Sequence, residues 1–367
     1  MSPATVSSET MTQVARSVLT KNAQLRKGET LAIEGFSHTI DWAVAFAREA
    51  RHMGALPVIL YEDEEAYWDA IERGEEGLLG AAPPHEWALL GKTDVYLHMW
   101  GFGDKPRFEQ LPPKRRERVF AFNDAWYAAA RKAGLRGFRL ELGRPYPSLA
   151  QSYGVDEQSW MDQIISATLV DPAALRRAAE PIARALQNGR KVRIRDDQGT
   201  DLALALRHRR PRAIWGRINP EEQKRPFGAL QGLPSGSVRV AVDETVADGT
   251  FIANRSSYNE FTSAVGGVLQ FEKGRLIDHH FERGAALFDD GFAKGGKGRD
   301  QPSQLGIGLN PGLHNTPQVE DLEKGAIMVA VGGNRFIDGR NRSPFFGFAI
   351  NVGARVEIDG RALPGLV

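Results

Sequence analysis

The stretch from Gln304 to Phe348, QLGIGLNPGLHNTPQVEDLEKGAIMVAVGGNRFIDGRNRSPFFGF, constrains the fold more than any other. Gly306, Gly308, Gly312, Gly325, Gly332, Gly333, Gly339 and Gly347 interrupt two short apolar runs, Leu305 to Leu309 and Ala326 to Val331. Glycine serves where φ must be positive or where another backbone must approach closely. Such density therefore points to strand ends packed around an ordered site. Tight turns between β-strands give the same glycine count, so the pattern alone leaves both readings open.

The N-terminal half has a different rhythm. Met11, Val14, Val18 and Leu19 fall at helical spacing behind Thr10 as the expected N-cap. Thr30 to Glu34 reads as a strand, Asp41 to Met53 as a helix ended by Gly54, and Leu56 to Tyr61 as a second strand. Strand, helix, strand at this spacing is a βαβ unit, which begins a parallel sheet. The pattern continues with a helix over 64–73, strands at Val95 to His98 and Val119 to Phe122, and a helix from Asp124 to Ala133. Gly101-Phe102-Gly103 opens a G-x-G, but Pro106 stands where a dinucleotide fingerprint needs its third glycine. His38 and His98 fall near the carboxyl ends of expected parallel strands, where open sheets bind ligands, although a histidine held by a loop hydrogen bond is the simpler account.

Tyr146 to Gln158 reads as a crossover loop and Pro172 to Gln187 as a helix, with the domain boundary beside it: 1–170 and 171–367. Short strands with turns follow, as expected of a twisted β-rich domain. Arg207, Arg209, Arg210, Arg212 and Arg217 form the densest basic run. Without a nucleic-acid-binding motif they read as solvated arginines of an exposed hairpin. His279 and His280, adjacent on a strand, point to opposite faces and cannot chelate one ion together without a bulge. Asp289-Asp290 precedes the glycine-rich 291–298, expected to be a flexible loop, and a relocated metal site using one of these histidines with Asp289 or Asp290 is the less favoured reading.

With Leu233-Pro234-Ser235-Gly236-Ser237-Val238, the opening stretch resembles the C-terminal half of the aminopeptidase T/S family of metallopeptidases, whose superfamily includes 2,5-dihydroxypyridine 5,6-dioxygenase. The family patterns P-x-G-E-V, E-L-G-I-G-x-N, G-T-x-H-x-A-x-G and N-x-S-x-x-H-x-D are matched here by PSGSV, QLGIGLN, GAIMVAVG and NRSPFFGF. The resemblance implies an N-terminal three-layer α/β domain with a mainly parallel sheet, a C-terminal twisted β-rich α+β domain, and a homodimer. It also sets Ser237 and Gln304 at the positions of two metal-binding glutamates, Met328 and Phe346 at those of the histidines, Phe348 at that of the aspartate and Phe336 nearest that of the tyrosine. A two-metal hydrolytic site needs carboxylates and imidazoles, and a hydroxyl, an amide, a thioether and three phenyl rings do not replace them. No metal and no other cofactor is therefore expected.

If the frame is kept, Met328, Phe336, Phe346 and Phe348 give one cavity an apolar wall, with Ser237 and Gln304 as hydrogen-bonding anchors, or else the rings fill the space themselves. Arg335, Arg340 and Arg342 lie in the loop between two motifs, where an arginine can clamp a carboxylate. His314 is the best-placed general base, with Ser237 as a nucleophile only if a base reaches it and Arg335 as the catalytic cation. The expected function is a metal-independent enzyme, hydrolase-like or ring-modifying, acting on an amide, a peptide-like metabolite or a nitrogen heterocycle. The alternative is a non-catalytic peptide- or metabolite-binding protein. The partner is thus a small molecule or peptide. A net charge of +1 supplies no field for nucleic acid or membrane, and the absence of cysteine removes thiolate chemistry. With no signal-like or membrane-length apolar segment, a cytoplasmic location is expected.

Overall fold

The computed structural model describes residues 5–81, 84–100, 104–119, 121–218, 220–225, 228–259 and 262–365. They fall into two compact units. The first runs to Leu169 and takes back Gly216–Pro234, while the second comprises Val170–Trp215 and continues from Ser235. The expected split into 1–170 and 171–367 made no provision for that return, because one short strand in a sequence says nothing about which sheet it joins.

In the first unit the strands Thr30–Phe36, Leu56–Glu62, Val95–Met99, Arg136–Leu140 and Leu230–Leu233 pair in parallel. The order across the sheet is 56–62, 30–36, 95–99, 136–140, 230–233. Alternation sends Leu31, Ile33 and Leu97 to one side, the side of the helix Ile40–His52, whose Phe46 and Ala43 are fully buried. Ala32, Tyr96 and Leu230 face the other side, against Leu90, Trp126 and Ala130 of the helices Pro84–Leu90 and Asn123–Ala133. This is the expected three-layer α/β arrangement.

Several local expectations change. Ser7, not Thr10, caps the first helix: its side chain accepts the Thr10 N–H. Val119 ends a helix that Pro113 starts, and Ala121 and Phe122 form a turn, so the described residues of the expected strand at 119–122 are not extended; Phe120 lies outside the described residues, as does the G-x-G at 101–103. The fourth strand is instead Arg136–Leu140. The expected loop of 146–158 holds the helix Pro147–Tyr153 and the start of Glu157–Thr168, begun by Pro147 at the first turn and by Asp156 as N-cap.

The second unit is built on two larger antiparallel sheets. One runs 275–280, 268–272, 247–252, 201–205, 191–195, 355–358, 361–362, and the other runs 346–352, 326–332, 302–308, 237–241, 212–214. The core gathers Val238, Val240, Leu305, Ile307, Ile327, Val329 and Ala349 from one face of the five-stranded sheet. With them are Leu175, Ile182 and Leu186 of the helix Pro172–Asn188, and Val192, Leu204, Phe251 and Leu269 of the other sheet. Burying this set supplies most of the unit's stability, at about 1.5–3 kcal/mol per large apolar side chain. The glycine-rich 291–298 is not simply a loop, since the helix Ala285–Lys294 includes Asp289 and Asp290.

Candidate functional site

With the core claiming alternate residues of the five-stranded sheet, the residues between them share its second face. Register sets Ser237 opposite Gly308, Arg239 opposite Gly306, and Gly306 opposite Met328. Ala330 stands between Gln304 and Phe348, and Gly332 opposite Phe346. Ser237, Gln304, Met328, Phe346 and Phe348 therefore lie on one face, and Phe336 joins them edge-on to Phe346 at 5.1 Å. Ser237 stands apart from the rest. It pairs with Gly308, four residues along the strand from Gln304, a separation on the order of 14 Å. The face thus has an aromatic end around Gln304 and Met328, and a polar end at Ser237 and Arg239.

Two glycines make room for what covers this face. A Cβ on Gly308 would sit 2.1 Å from the carbonyl oxygen of Glu323 and 2.8 Å from that of Asp321. One on Gly306 would meet Met328 Cε at 3.0 Å. The segment so admitted, the 3-10 turn Glu320–Leu322, brings acidic residues that sequence reasoning had passed over. Asp321 pairs with Arg239. Glu323 accepts from Arg255 Nε at 3.2 Å and Nη2 at 3.1 Å, and from the Asn315 N–H at 2.9 Å. Glu320 is only 2% exposed and accepts the Tyr258 N–H at 2.9 Å. The neighbouring Ser257 hydroxyl donates to the Phe348 carbonyl at 3.3 Å, so the strand Ser257–Asn259, paired with Thr262–Ala264, links the aromatic strand to Glu320.

Four polar atoms on this face are buried without a hydrogen-bond partner among the described residues: Ser237 Oγ, Gln304 Oε1, Arg239 Nε and Glu320 Oε2. Buried polar groups are normally satisfied, so such a set marks a place completed by ordered water or a ligand. Burial lifts the Glu320 carboxyl to about 8, and the charge of Asp321 adds to it; the Tyr258 N–H and Arg239 pull the other way and lose. Glu320 is thus a neutral acid at neutral pH.

That shift has a consequence for stability. A carboxyl whose folded pKa lies above its unfolded value of 4.5 imposes no penalty below that pH, and stability falls as pH rises from 4.5 to about 8. The full loss is on the order of 5 kcal/mol. Glu320→Gln removes the ionisation, so in thermal melts the variant is expected to match the wild type near pH 4.5 and to melt higher at pH 9. Equal melting temperatures at pH 9 would contradict a buried neutral acid.

The other expected site residues are dispersed. His314 is 78% exposed at its side chain, with Nδ1 3.3 Å from Glu323 Oε1. Ser237 is fully buried and its Oγ has no hydrogen-bond partner among the described residues, so the condition under which it would serve as a nucleophile, a base within hydrogen-bond reach, is not met there. Arg335, Arg340 and Arg342 are exposed. The loop that carries them is fixed instead through its backbone, where the Arg340 N–H donates to Glu244 Oε1 at 2.8 Å and Arg212 donates to the Phe336 carbonyl at 3.1 Å. The arginines of 207–217 are partnered, not merely solvated: Arg207 with Asp243, Arg209 with Glu244 and Arg217 with the Lys21 carbonyl. In the first unit His98 Nδ1 meets Glu34 Oε2 at 2.7 Å, an oxygen that also accepts the Tyr96 hydroxyl. His279 meets Asp289 at 2.7 Å, and His280 falls on the opposite side of the strand.

The aligned positions do not fit a dication. Ser237, Gln304, Met328, Phe336, Phe346 and Phe348 offer no anionic or imidazole donor, and the Gln304 amide nitrogen lies 4.0 Å from the Met328 sulfur. Among the described residues no group of three or more His, Cys, Asp or Glu side chains is arranged to hold a metal ion.

A parallel α/β unit joined to an antiparallel β-rich unit with a glycine-framed face defines an aminopeptidase-like, hydrolase-type scaffold. A family model described as thermophilic metalloprotease (M29) matches residues 7–295, and the chain belongs to that family. AmpT from Thermus thermophilus is similar in structure with a TM-score of 0.71 at 19% identity, over 97% of this chain and 99% of that one. A 2,5-dihydroxypyridine dioxygenase from Pseudomonas putida is similar with a TM-score of 0.58 at 15% identity, over 98% of this chain and 96% of that one. At these identities the likeness is one of fold. No curated protein matches the chain by sequence. Among the described residues no helix is long and apolar enough to cross a membrane.

Proposed function

We propose that this chain is a metal-independent, hydrolase-type enzyme that opens an amide bond in a peptide-like metabolite or nitrogen heterocycle, with Glu320 as its proton-transfer group. The observation that carries this reading is Glu320 itself, an acid kept protonated at neutral pH beside Arg239 on a face with unsatisfied buried oxygens. A general acid works best when its pKa lies near the working pH. The Glu320 carboxyl hands its proton to the departing nitrogen, while water adds hydroxyl to the acyl carbon and returns a proton to Glu320. Arg239 Nε–H stabilises the charge that develops on the carbonyl oxygen. Phe336, Phe346 and Phe348 hold the apolar part of the substrate, Gln304 Oε1 accepts an N–H from it, and Ser237 is an anchor, not a nucleophile. A cytoplasmic homodimer remains the expected setting.

A second reading, a peptide- or metabolite-binding protein without turnover, is favoured by the aromatic rim, where Phe346 is 37% exposed. The test uses the full chain, dialysed against a chelator, on aminoacyl-p-nitroanilides, dipeptides and nicotinamide. Turnover that persists with the chelator present supports the enzyme, and His314→Ala is expected to leave it within about twofold. Activity that returns only with an added dication would overturn the metal-independent reading. Binding by calorimetry without turnover would favour the second.

A further inference from the structure

The first unit holds a cavity that the proposed chemistry does not use. From the strand Thr30–Phe36 the sheet extends one way to Leu56–Glu62 and the other way to Val95–Met99, so the connections leaving neighbouring strands diverge at their carboxyl ends. Open α/β sheets bind ligands in the crevice outside such a point. A half-open cavity of about 420 Å³ lies at this end of the sheet. Its wall draws His38, Asp41 and Trp42 from the segment after the first strand, Asp104 from the segment after the third, Tyr146 from the segment after the fourth, and Glu157 from the helix Glu157–Thr168. His38 Nε2 lies 3.1 Å from the Gly143 carbonyl oxygen, so two of these connections are joined.

The lining has one sign of charge. Asp41, Asp104 and Glu157 contribute carboxylates, and among the described residues no lysine or arginine lines the cavity. Nearby Arg107 is held by Glu72 at 2.5 Å and by Glu65 at 3.5 Å. Burial lowers His38 to about 4, against hydrogen bonds that act to raise it, so the imidazole is neutral at neutral pH and adds no positive charge. The walls between the carboxylates are aromatic. Trp42 is buried, and the Tyr146 ring stands edge-on to His38 at 5.2 Å. Carboxylates set among aromatic faces are the surroundings in which an alkylammonium is more stable than in an apolar pocket.

We propose that this cavity binds a small organic amine as its ammonium ion, with the charge set toward Asp41 and Asp104 and an apolar body against Trp42 and Tyr146. The test is calorimetry on the full chain at pH 7 with phenethylamine and with 2-phenylethanol, which has the same shape but no charge. The amine is expected to bind at least tenfold more tightly than the alcohol, and the double variant Asp41→Asn, Asp104→Asn to erase most of that preference. Both substitutions suit the fold. Asp41 is exposed, and Asp104 caps its helix by accepting the Arg107 N–H at 3.0 Å, which asparagine also does. An unchanged melting temperature checks this directly. Amine affinity should also fall as pH drops toward 4, where His38 takes up a proton and sets a positive charge beside the ligand. Equal affinity for the two probes, no binding of either, or a double variant that keeps the preference would overturn the proposal.

Discussion

Replacing Glu320 by glutamine is expected to lower turnover by about 10²- to 10⁴-fold, the usual contribution of a positioned acid or base. Glutamine keeps the shape, the neutrality and an oxygen for the Tyr258 N–H, and loses only the transferable proton. KM should therefore move little while kcat falls, because binding and packing survive and proton transfer does not. The pH profile of the wild type adds a second readout. A group that must be protonated and sits at about 8 gives an alkaline limb in kcat, and that limb should be absent from whatever rate the variant retains. Arg239→Met is the companion measurement. It removes the charge opposite the developing oxyanion and leaves Asp321 without its cation, so it should depress kcat and stability together. A Glu320→Gln enzyme with wild-type kcat would assign the buried acid to loop packing alone.

Glu320 also shows where the sequence stops being informative. The glycine frame around it was legible, because apolar runs broken by glycine have few solutions, and Leu305 to Leu309 and Ala326 to Val331 do fall on adjacent antiparallel strands. Alternation then set which side chains share a face. What no periodicity reports is which polar residues of Asn315 to Lys324 turn inward. That depends on Gly308 letting the backbone of 321–323 rest on the sheet. The same limit explains the arginine run, whose carboxylate partners lie more than thirty residues downstream. Other misses had usable signals: Pro113 and Pro147 both stand in first helical turns, and each marks a helix in a segment otherwise read as strand or loop. The strand Arg136–Leu140 had none. Its RGFRL sequence carries two apolar residues with one arginine between them, and it is a strand because the parallel strands on either side supply its hydrogen bonds.

Arg209→Met is expected to destabilise the second unit by about 3–5 kcal/mol, the cost of leaving a buried carboxylate without its cation. Arg209 is 10% exposed and grips Glu244 with both terminal nitrogens, at 2.7 and 2.6 Å, while also donating to the Val242 carbonyl. Glu244 in turn accepts the Arg340 N–H at 2.8 Å and the Asn334 amide at 3.0 Å, and Asn334 accepts the Asn341 N–H at 2.9 Å. Burial would raise Glu244, but these bonds prevail and hold it at about 2. For a carboxyl depressed in the folded state the stabilisation is present above the unfolded value of 4.5 and is lost as pH falls toward 2. The gap between wild type and variant in denaturant melts should accordingly be widest at neutral pH and close in acid. Glu244→Gln added to Arg209→Met should recover part of the loss, since it removes the stranded charge. The functional consequence follows from the loop that this network fixes. Residues 334–341 carry Phe336 against Phe346, so loosening them should weaken ligand binding at the aromatic end while leaving Glu320 as it is. A loss below about 1 kcal/mol, typical of an exposed ion pair, would mean that Glu244 finds water when its arginine is removed and that the loop does not depend on it.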